Sequence, residues 1–296
     1  MMPRDPRIPG LDSMDLCVIT PSYVSSHQRA KFAVRSLTSL RHCVGRSYRH
    51  IVVDVRPSAS VPVPGGSKLD VPIPDPFWWR AAATIYDEPN TELIRRNGGN
   101  SVSAVLRGVR EAKEIGFDLA FLHMDDNVYI PHMGDLVRCA RDAFARRGSL
   151  RHLHLAGYPL LCNQCSPTEG NRSLVEHEDD RVTVDDIVFR PDRAEDYTLW
   201  AAPFGPDMHH ENFWPITGWS SVFRIEFLEW LLTRDGVETL PNLGQWEVYY
   251  RDPENWKTVV DHGGELGYIN MQFGGLEMHH NDNWRELIAY PNEPIR

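Results

Sequence analysis

The sequence predicts an α/β protein, a mostly parallel central sheet flanked by helices, in a single domain with an irregular second half. Three observations lead there. The chain opens with a short apolar run, Leu16-Cys17-Val18-Ile19-Thr20, then a helical pattern, then a second apolar run, His50-Ile51-Val52-Val53-Asp54-Val55. Strand–helix–strand order of this kind makes a parallel pair with a right-handed crossover. A further apolar strand, Leu119 to Leu122, follows an amphipathic helix and runs through His123-Met124 into Asp125-Asp126. Finally, 296 residues at 42% hydrophobic composition suffice for a packed core of one large domain or two smaller ones.

The elements follow in order. The first strand is expected to stop at Pro21, and Ser25 or Ser26 is placed to cap the next helix, where Ala33, Leu37 and Leu40 recur at helical spacing. Residues 56–80 carry six prolines and Gly65-Gly66 before Phe77-Trp78-Trp79, and read as one long loop. Its tryptophans either stack on a ligand or anchor the loop to the core. Ala82 to Tyr86 reads as a third strand, and Asn97-Gly98-Gly99-Asn100 as a turn. Val102, Val105, Leu106, Val109 and Ala112 then form one helical face, closed by Gly116. Pro131 opens another helix, with Leu136, Val137, Ala140 and Phe144 inward. In the second half, His152 to Leu161 and Arg181 to Phe189 read as strands, 203–219 as a loop and Arg224 to Leu232 as a short buried helix.

The net charge of −10 argues against a broad nucleic-acid surface, although Arg95, Arg96, Arg107 and Arg110 could line a local basic groove. No apolar run approaches the roughly 20 residues that span a bilayer. Met1 to Asp15 lacks the apolar segment of a secretory signal and reads as a flexible leader. Five scattered cysteines suit free thiols in a reducing cytoplasm. Cys162 and Cys165 form one CxxC near His152 and His154. That is half of the usual paired zinc pattern, and a loop carrying two thiols accounts for it as well.

Asp125-Asp126 is the most chemically loaded point. Adjacent carboxylates repel, so the pair needs a solvent exit, a cation or a basic partner. The carboxyl ends of strands are also where ligands bind in α/β sheets. The pair is either a divalent-metal site holding a phosphorylated ligand or an ordinary acidic turn.

Four segments resemble the family-2-like glycosyltransferases of the GT-A fold, over roughly residues 16–146. Val18-Ile19-Thr20-Pro21-Ser22-Tyr23 is similar to the family's opening strand and turn. Arg29 through Ser36-Leu37 is similar to its first helix, and Ile51-Val52-Val53-Asp54 to its second strand. Asn97-Gly98-Gly99 through Ser103-Ala104, and on to Phe121-Leu122-His123-Met124-Asp125-Asp126, is similar to the helix and strand that lead into the Asp-x-Asp motif. The resemblance implies a Rossmann-type sheet, with 1–150 as the nucleotide-sugar-binding half and 151–296 as the acceptor-binding half of the same domain. It implies donor contacts at Pro21, Tyr23, Asp54, Arg96, Gly99, His123, Asp125 and Trp219. The chain departs from the family at His123, which replaces the first Asp of the motif; Asp125 falls on the second.

The resemblance further implies a divalent metal held by Asp125 and Asp126, with His280 or His279 of Met278-His279-His280-Asn281-Asp282 as a further ligand. His123 could still hydrogen-bond the ribose or a phosphate, or ligate the ion through its imidazole, and such a nitrogen ligand favours Mn2+ over Mg2+. An inverting transfer needs a carboxylate base. Glu247 resembles that position, with Asp207 and Glu211 as alternatives in the 203–219 loop. The partner implied is a nucleotide-diphosphate sugar, and the acceptor is left open. Two other readings stand beside this one. A nucleotidyltransferase would normally carry a Gly-rich basic loop where this chain has Pro21-Ser22-Tyr23-Val24-Ser25-Ser26. A non-catalytic nucleotide- or carbohydrate-binding protein on the same scaffold is consistent with the His123 departure.

Overall fold

The computed structural model describes residues 15–23, 27–45, 47–56, 58–62, 68–72, 90–97, 99–125, 127–129, 133–155, 197–206, 216, 221–271 and 277–279. Twelve strands lie among them: β1 (Leu16–Ser22), β2 (Arg49–Arg56), β3 (Ser58–Pro62), β4 (Lys68–Pro72), β5 (Thr91–Asn97), β6 (Leu119–Leu122), β7 (Asn127–Tyr129), β8 (Leu150–His154), β9 (Tyr197–Pro203), β10 (Ser221–Arg224), β11 (Glu265–Met271) and β12 (Glu277–His279). The helices are α1 (His27–Cys43), α2 (Ser101–Ile115), α3 (Met133–Arg146), α4 (Ile225–Leu232), α5 (Leu243–Tyr249) and α6 (Pro253–His262).

Eight strands form one sheet in the order β5-β2-β1-β6-β10-β8-β11-β9. Four of its seven pairings are parallel and three antiparallel. The sheet draws strands from both halves of the chain, so a single sheet spans it. Antiparallel β10 lies between β6 and β8, both of which it pairs, and is where the regular alternation of the first half gives way.

Period-two alternation along β1 divides the core. Leu16 and Val18 face a cluster built with Ala33, Leu37 and Leu40 of α1 and Val137, Ala140 and Phe144 of α3. Cys17 and Ile19 face the other cluster, built with α2, α4, α5 and α6. Both sheet faces are therefore covered, as parallel strands without polar alternation require. The approach of α2 to β1 is close: a Cβ on Gly108 would lie 2.6 Å from Cγ2 of Ile19.

Several expectations change. The first strand does not stop at Pro21; β1 continues to Ser22, with Pro21 opposite Val53. Ile19 C=O accepts from the His123 N–H at 2.9 Å, so alternate residues of β1 turn toward β6. β6 has ended by the level of Pro21, and its missing N–H leaves no ladder bond unmade there. The 56–80 segment is not wholly loop: β3 and β4 pair as an antiparallel ribbon. Among the described residues, Thr91–Asn97 forms a parallel strand beside β2 that the sequence reading did not assign. The segments expected as strands at 82–86 and 181–189, the caps at Ser25 and Ser26, Pro131, Cys162 and Cys165 lie outside the described residues. His152 and His154 are buried on β8, with ring centroids 3.9 Å apart.

α2 is delimited as its sequence requires. Asn100 accepts from the Ser103 N–H at 2.7 Å and its own N–H donates to the Ser103 hydroxyl, forming a capping box. Gly116, at φ 99°, ends the helix in the left-handed region. No helix among the described residues is long and apolar enough to cross a membrane.

Candidate active site at the carboxyl edge

β5, β2, β1 and β6 run parallel, so their carboxyl ends share one edge. The register sets Ser22 beside Asp54, and Asp54 beside Arg95. Ile19 pairs with Leu122, which brings Ser22 and Asp125, each three residues on, to the same level. The side chains meet there. The Ser22 hydroxyl donates to Oδ2 of Asp125 at 3.1 Å, and the Tyr23 N–H donates to the same oxygen at 2.9 Å. Asp54 and Asp125 are both buried, whereas Tyr23 is 42% exposed at the rim.

Behind Asp125 the chain turns. The Asn127 N–H donates to the Met124 C=O at 3.1 Å, closing a turn that carries Asp125. The Ser36 hydroxyl of α1 donates to the same carbonyl at 2.9 Å. Asn127 then begins β7, which pairs antiparallel with β12; His279 sits opposite Asn127 and Met278 opposite Val128. Two segments 152 positions apart are thus joined, and the register sets position 279 opposite the residue two on from Asp125.

His123, which occupies the departure position, is fully buried. Its Nδ1 lies 2.7 Å from the Thr20 hydroxyl and its Nε2 2.8 Å from the Ser36 hydroxyl. Both ring nitrogens are spent on protein partners. A hydrogen bond from His123 to a ribose or phosphate, or its ligation of an ion, would require breaking one of these bonds.

The other expected residues are distributed as follows. Gly99, at φ 112°, precedes the start of α2 and needs the freedom of glycine. Arg96 lies on β5 opposite Val55. Glu247 is buried on α5, next to the buried Trp246. The beginning of α5 is tied to the beginning of α2, because the Leu243 N–H donates to the Ser101 hydroxyl at 3.0 Å. Pro21 is buried in β1. Asp126, Asp207, Glu211, Trp219 and His280 lie outside the described residues. Among the described residues no three His, Cys, Asp or Glu side chains cluster as a ready-made ion cage.

Sequence reasoning missed Thr20, Ser22, Ser36, His50 and Asn127. All are buried polar residues. Thr20 and His50 sit inside apolar strand runs, and such interruptions were the available signal.

No protein-family model matches the chain, and no curated protein matches it. Among solved structures it is similar to residues 1–349 of S. aureus TarS, at 11% identity and TM-score 0.46, over 88% of this chain and 59% of that one. It is similar to S. aureus TarS in a longer form, at 10% identity and TM-score 0.46, over 88% and 36%. It is also similar to the mannosyltransferase PcManGT from Pyrobaculum calidifontis, in complex with GDP-Man and Mn2+, at 15% identity and TM-score 0.33, over 50% and 36%. The chain spans 59% or less of the length of each. The chemistry of this chain therefore rests on its own residues.

Proposed function

We propose that the protein is a metal-dependent glycosyltransferase that moves a sugar from a nucleotide-diphosphate donor to an acceptor hydroxyl or similar group, with inversion. One observation carries the reading: Asp54, Ser22, Tyr23 and Asp125 collect at the carboxyl edge of the parallel strands, where α/β sheets bind ligands. In this reading Asp54 faces the nucleotide base, with Pro21 and exposed Tyr23 beside it. Gly99 and Arg96 lie on the diphosphate side, where a helix start favours an anion, and Trp219 lines the sugar.

The donor set suits a divalent ion. Asp125 offers carboxylate oxygen, and the β7–β12 pairing sets Met278 and His279 opposite Val128 and Asn127, just past Asp125. Asp125 and Asp126, with His279 or His280, would hold the ion; mixed oxygen and nitrogen donors favour Mn2+ over Mg2+. When bound, such an ion neutralises charge developing on the leaving diphosphate. Glu247 deprotonates the acceptor hydroxyl, its helix being anchored to the start of α2. Asp207 and Glu211 are the other carboxylates for that task. The reading places the protein in the cytoplasm and leaves nucleic acid out as acceptor.

The test is donor turnover. The protein is incubated with UDP-, GDP-, dTDP- and CDP-sugars and Mn2+, and nucleoside diphosphate is followed by chromatography. Release from one donor class, abolished in Asp125→Ala, is expected. Pyrophosphate release from a nucleoside triphosphate plus a sugar phosphate, with every nucleotide sugar left intact, would instead identify a nucleotidyltransferase.

A further inference from the structure

A buried chain of hydrogen bonds runs beneath the acidic turn. Nη2 of Arg41 lies 3.0 Å from Nδ1 of His50. Nε2 of His50 lies 2.7 Å from the Thr20 hydroxyl, and that hydroxyl lies 2.7 Å from Nδ1 of His123. Nε2 of His123 lies 2.8 Å from the Ser36 hydroxyl, which donates to the Met124 C=O at 2.9 Å. Arg41 and His50 are at most 8% exposed, and Thr20, Ser36 and His123 are 0% exposed.

The two ends fix which nitrogen of each ring must carry a hydrogen. A guanidinium only donates, and a carbonyl only accepts. Ser36 has one proton, which it gives to Met124, so Ser36 accepts from His123, and Nε2 of His123 carries the hydrogen. If Nδ1 of His123 is then the lone pair, it accepts from Thr20. Thr20, having given its one proton, accepts from Nε2–H of His50, whose Nδ1 accepts from Arg41. Each hydroxyl and each ring donates once and accepts once. The reversed assignment would set a ring N–H against the guanidinium. Burial, then the neighbouring His123 and Arg41, hold His50 well below the usual histidine range, in accord with a neutral ring.

We propose that Arg41, His50, Thr20, His123 and Ser36 form a proton-ordered positioning relay, with a hydrogen on Nε2 of each imidazole, that fixes the Met124 carbonyl and so the attitude of the turn after β6. The relay gives the departure at His123 a purpose. Where the family places a carboxylate, this chain places an imidazole that ties β1, β2, β6 and α1 to the turn's backbone. Among the described residues, Arg41 from α1 and the two rings themselves are charged or titratable groups that face one another here. These residues are positioning residues, because all five are buried and act on the turn through one another. Their effect on ion binding rests on the reading of the turn as the donor edge; the ring tautomers do not.

The test begins with long-range proton–nitrogen correlation spectra of the histidine-labelled wild-type protein at pH 7.5. The His50 and His123 signals are assigned by their disappearance in His50→Asn and His123→Asn. Both rings are expected to carry a hydrogen on Nε2; a bare Nε2 at either site, or a doubly protonated His50, overturns the relay. The second arm measures Mn2+ affinity and hydrogen exchange at the Asn127 amide in Ser36→Ala and Ser36→Thr. Ser36→Ala is expected to lose about tenfold in exchange protection at Asn127, the scale of one net hydrogen bond, with restoration toward wild type in Ser36→Thr. Unchanged protection in a folded Ser36→Ala overturns the positioning role. Wild-type protein that shows the expected tautomers yet binds no Mn2+ would sink the metal reading and leave the relay standing.

Discussion

The Tyr23 N–H donates to Oδ2 of Asp125 at 2.9 Å, across 102 positions of sequence, and ties the acidic turn to the end of β1. The Ser22 hydroxyl shares that oxygen. The carboxylate therefore has a structural task as well as its proposed chemical one, and two substitutions separate them. Asp125→Asn keeps an oxygen acceptor and removes the charge, so urea denaturation is expected to stay near wild type. Asp125→Ala leaves the Tyr23 N–H and Ser22 hydroxyl without this acceptor and is expected to cost ~1–3 kcal/mol. Equal stability of the two variants would contradict this account of the clamp.

Arg224 caps α3 from a distance. Its guanidinium donates to the carbonyls of Leu150 at 2.7 Å, Phe144 at 3.0 Å and Arg147 at 3.1 Å. A cation here meets the negative end of a helix and satisfies carbonyls that lack helical partners. Arg224→Met is expected to destabilise by ~1–3 kcal/mol in urea titration, with only partial recovery in Arg224→Lys, which lacks the planar fork. Full recovery with Lys would show that charge alone suffices.

Glu265 joins β11 to the approach of β8. It accepts from Arg147 at 2.8 and 3.1 Å and from Ser149 at 2.7 Å. Burial alone would raise its carboxyl, but the Arg147 and Ser149 hydrogen bonds and the Arg147 charge hold it below the ordinary value. A depressed folded value means stability that is fully present above the unfolded carboxylate range, near about 4.3, and lost as pH falls through the folded value. Acid titration of stability is expected to be shallower below about pH 4.3 in Arg147→Met than in wild type. Parallel curves would remove the pair from the acid response.

The regular half was legible because its physics is local. β1, β2, β6 and the face of α2 each bury a continuous run or stripe, and Gly116 and Asn100 mark the ends of α2 by their own chemistry. The Pro-rich stretch misled because proline density forbids helix and central strand but permits a two-stranded ribbon such as β3–β4. Pro21 misled in the opposite direction, since its tolerance depends on where β6 ends. Of the candidate site, the strand-end positions of Asp54 and Asp125 were legible. Its supports were not, because Thr20, Ser36 and His50 acquire meaning only through contacts 30 to 103 positions away. The pairing of β7 with β12 had no local sign, as a three-residue strand carries no periodicity.

Catalytic assignment of Glu247 makes a separate prediction. Glu247→Gln is expected to lower kcat by ~10²–10⁴ with little change in donor KM. A normal kcat in that variant would move the base to Asp207 or Glu211.

The central claim is an ion-assisted nucleotide site at the carboxyl edge. Calorimetry with UDP, GDP, dTDP and CDP, each with and without Mn2+, on wild type, Asp125→Asn and Asp125→Ala tests it most directly. The account predicts Mn2+-dependent binding of one nucleotide by wild type and loss of that binding in both variants. Absence of binding for every nucleotide, with or without Mn2+, would contradict it and leave Asp125 as the anchor of a strand-end turn.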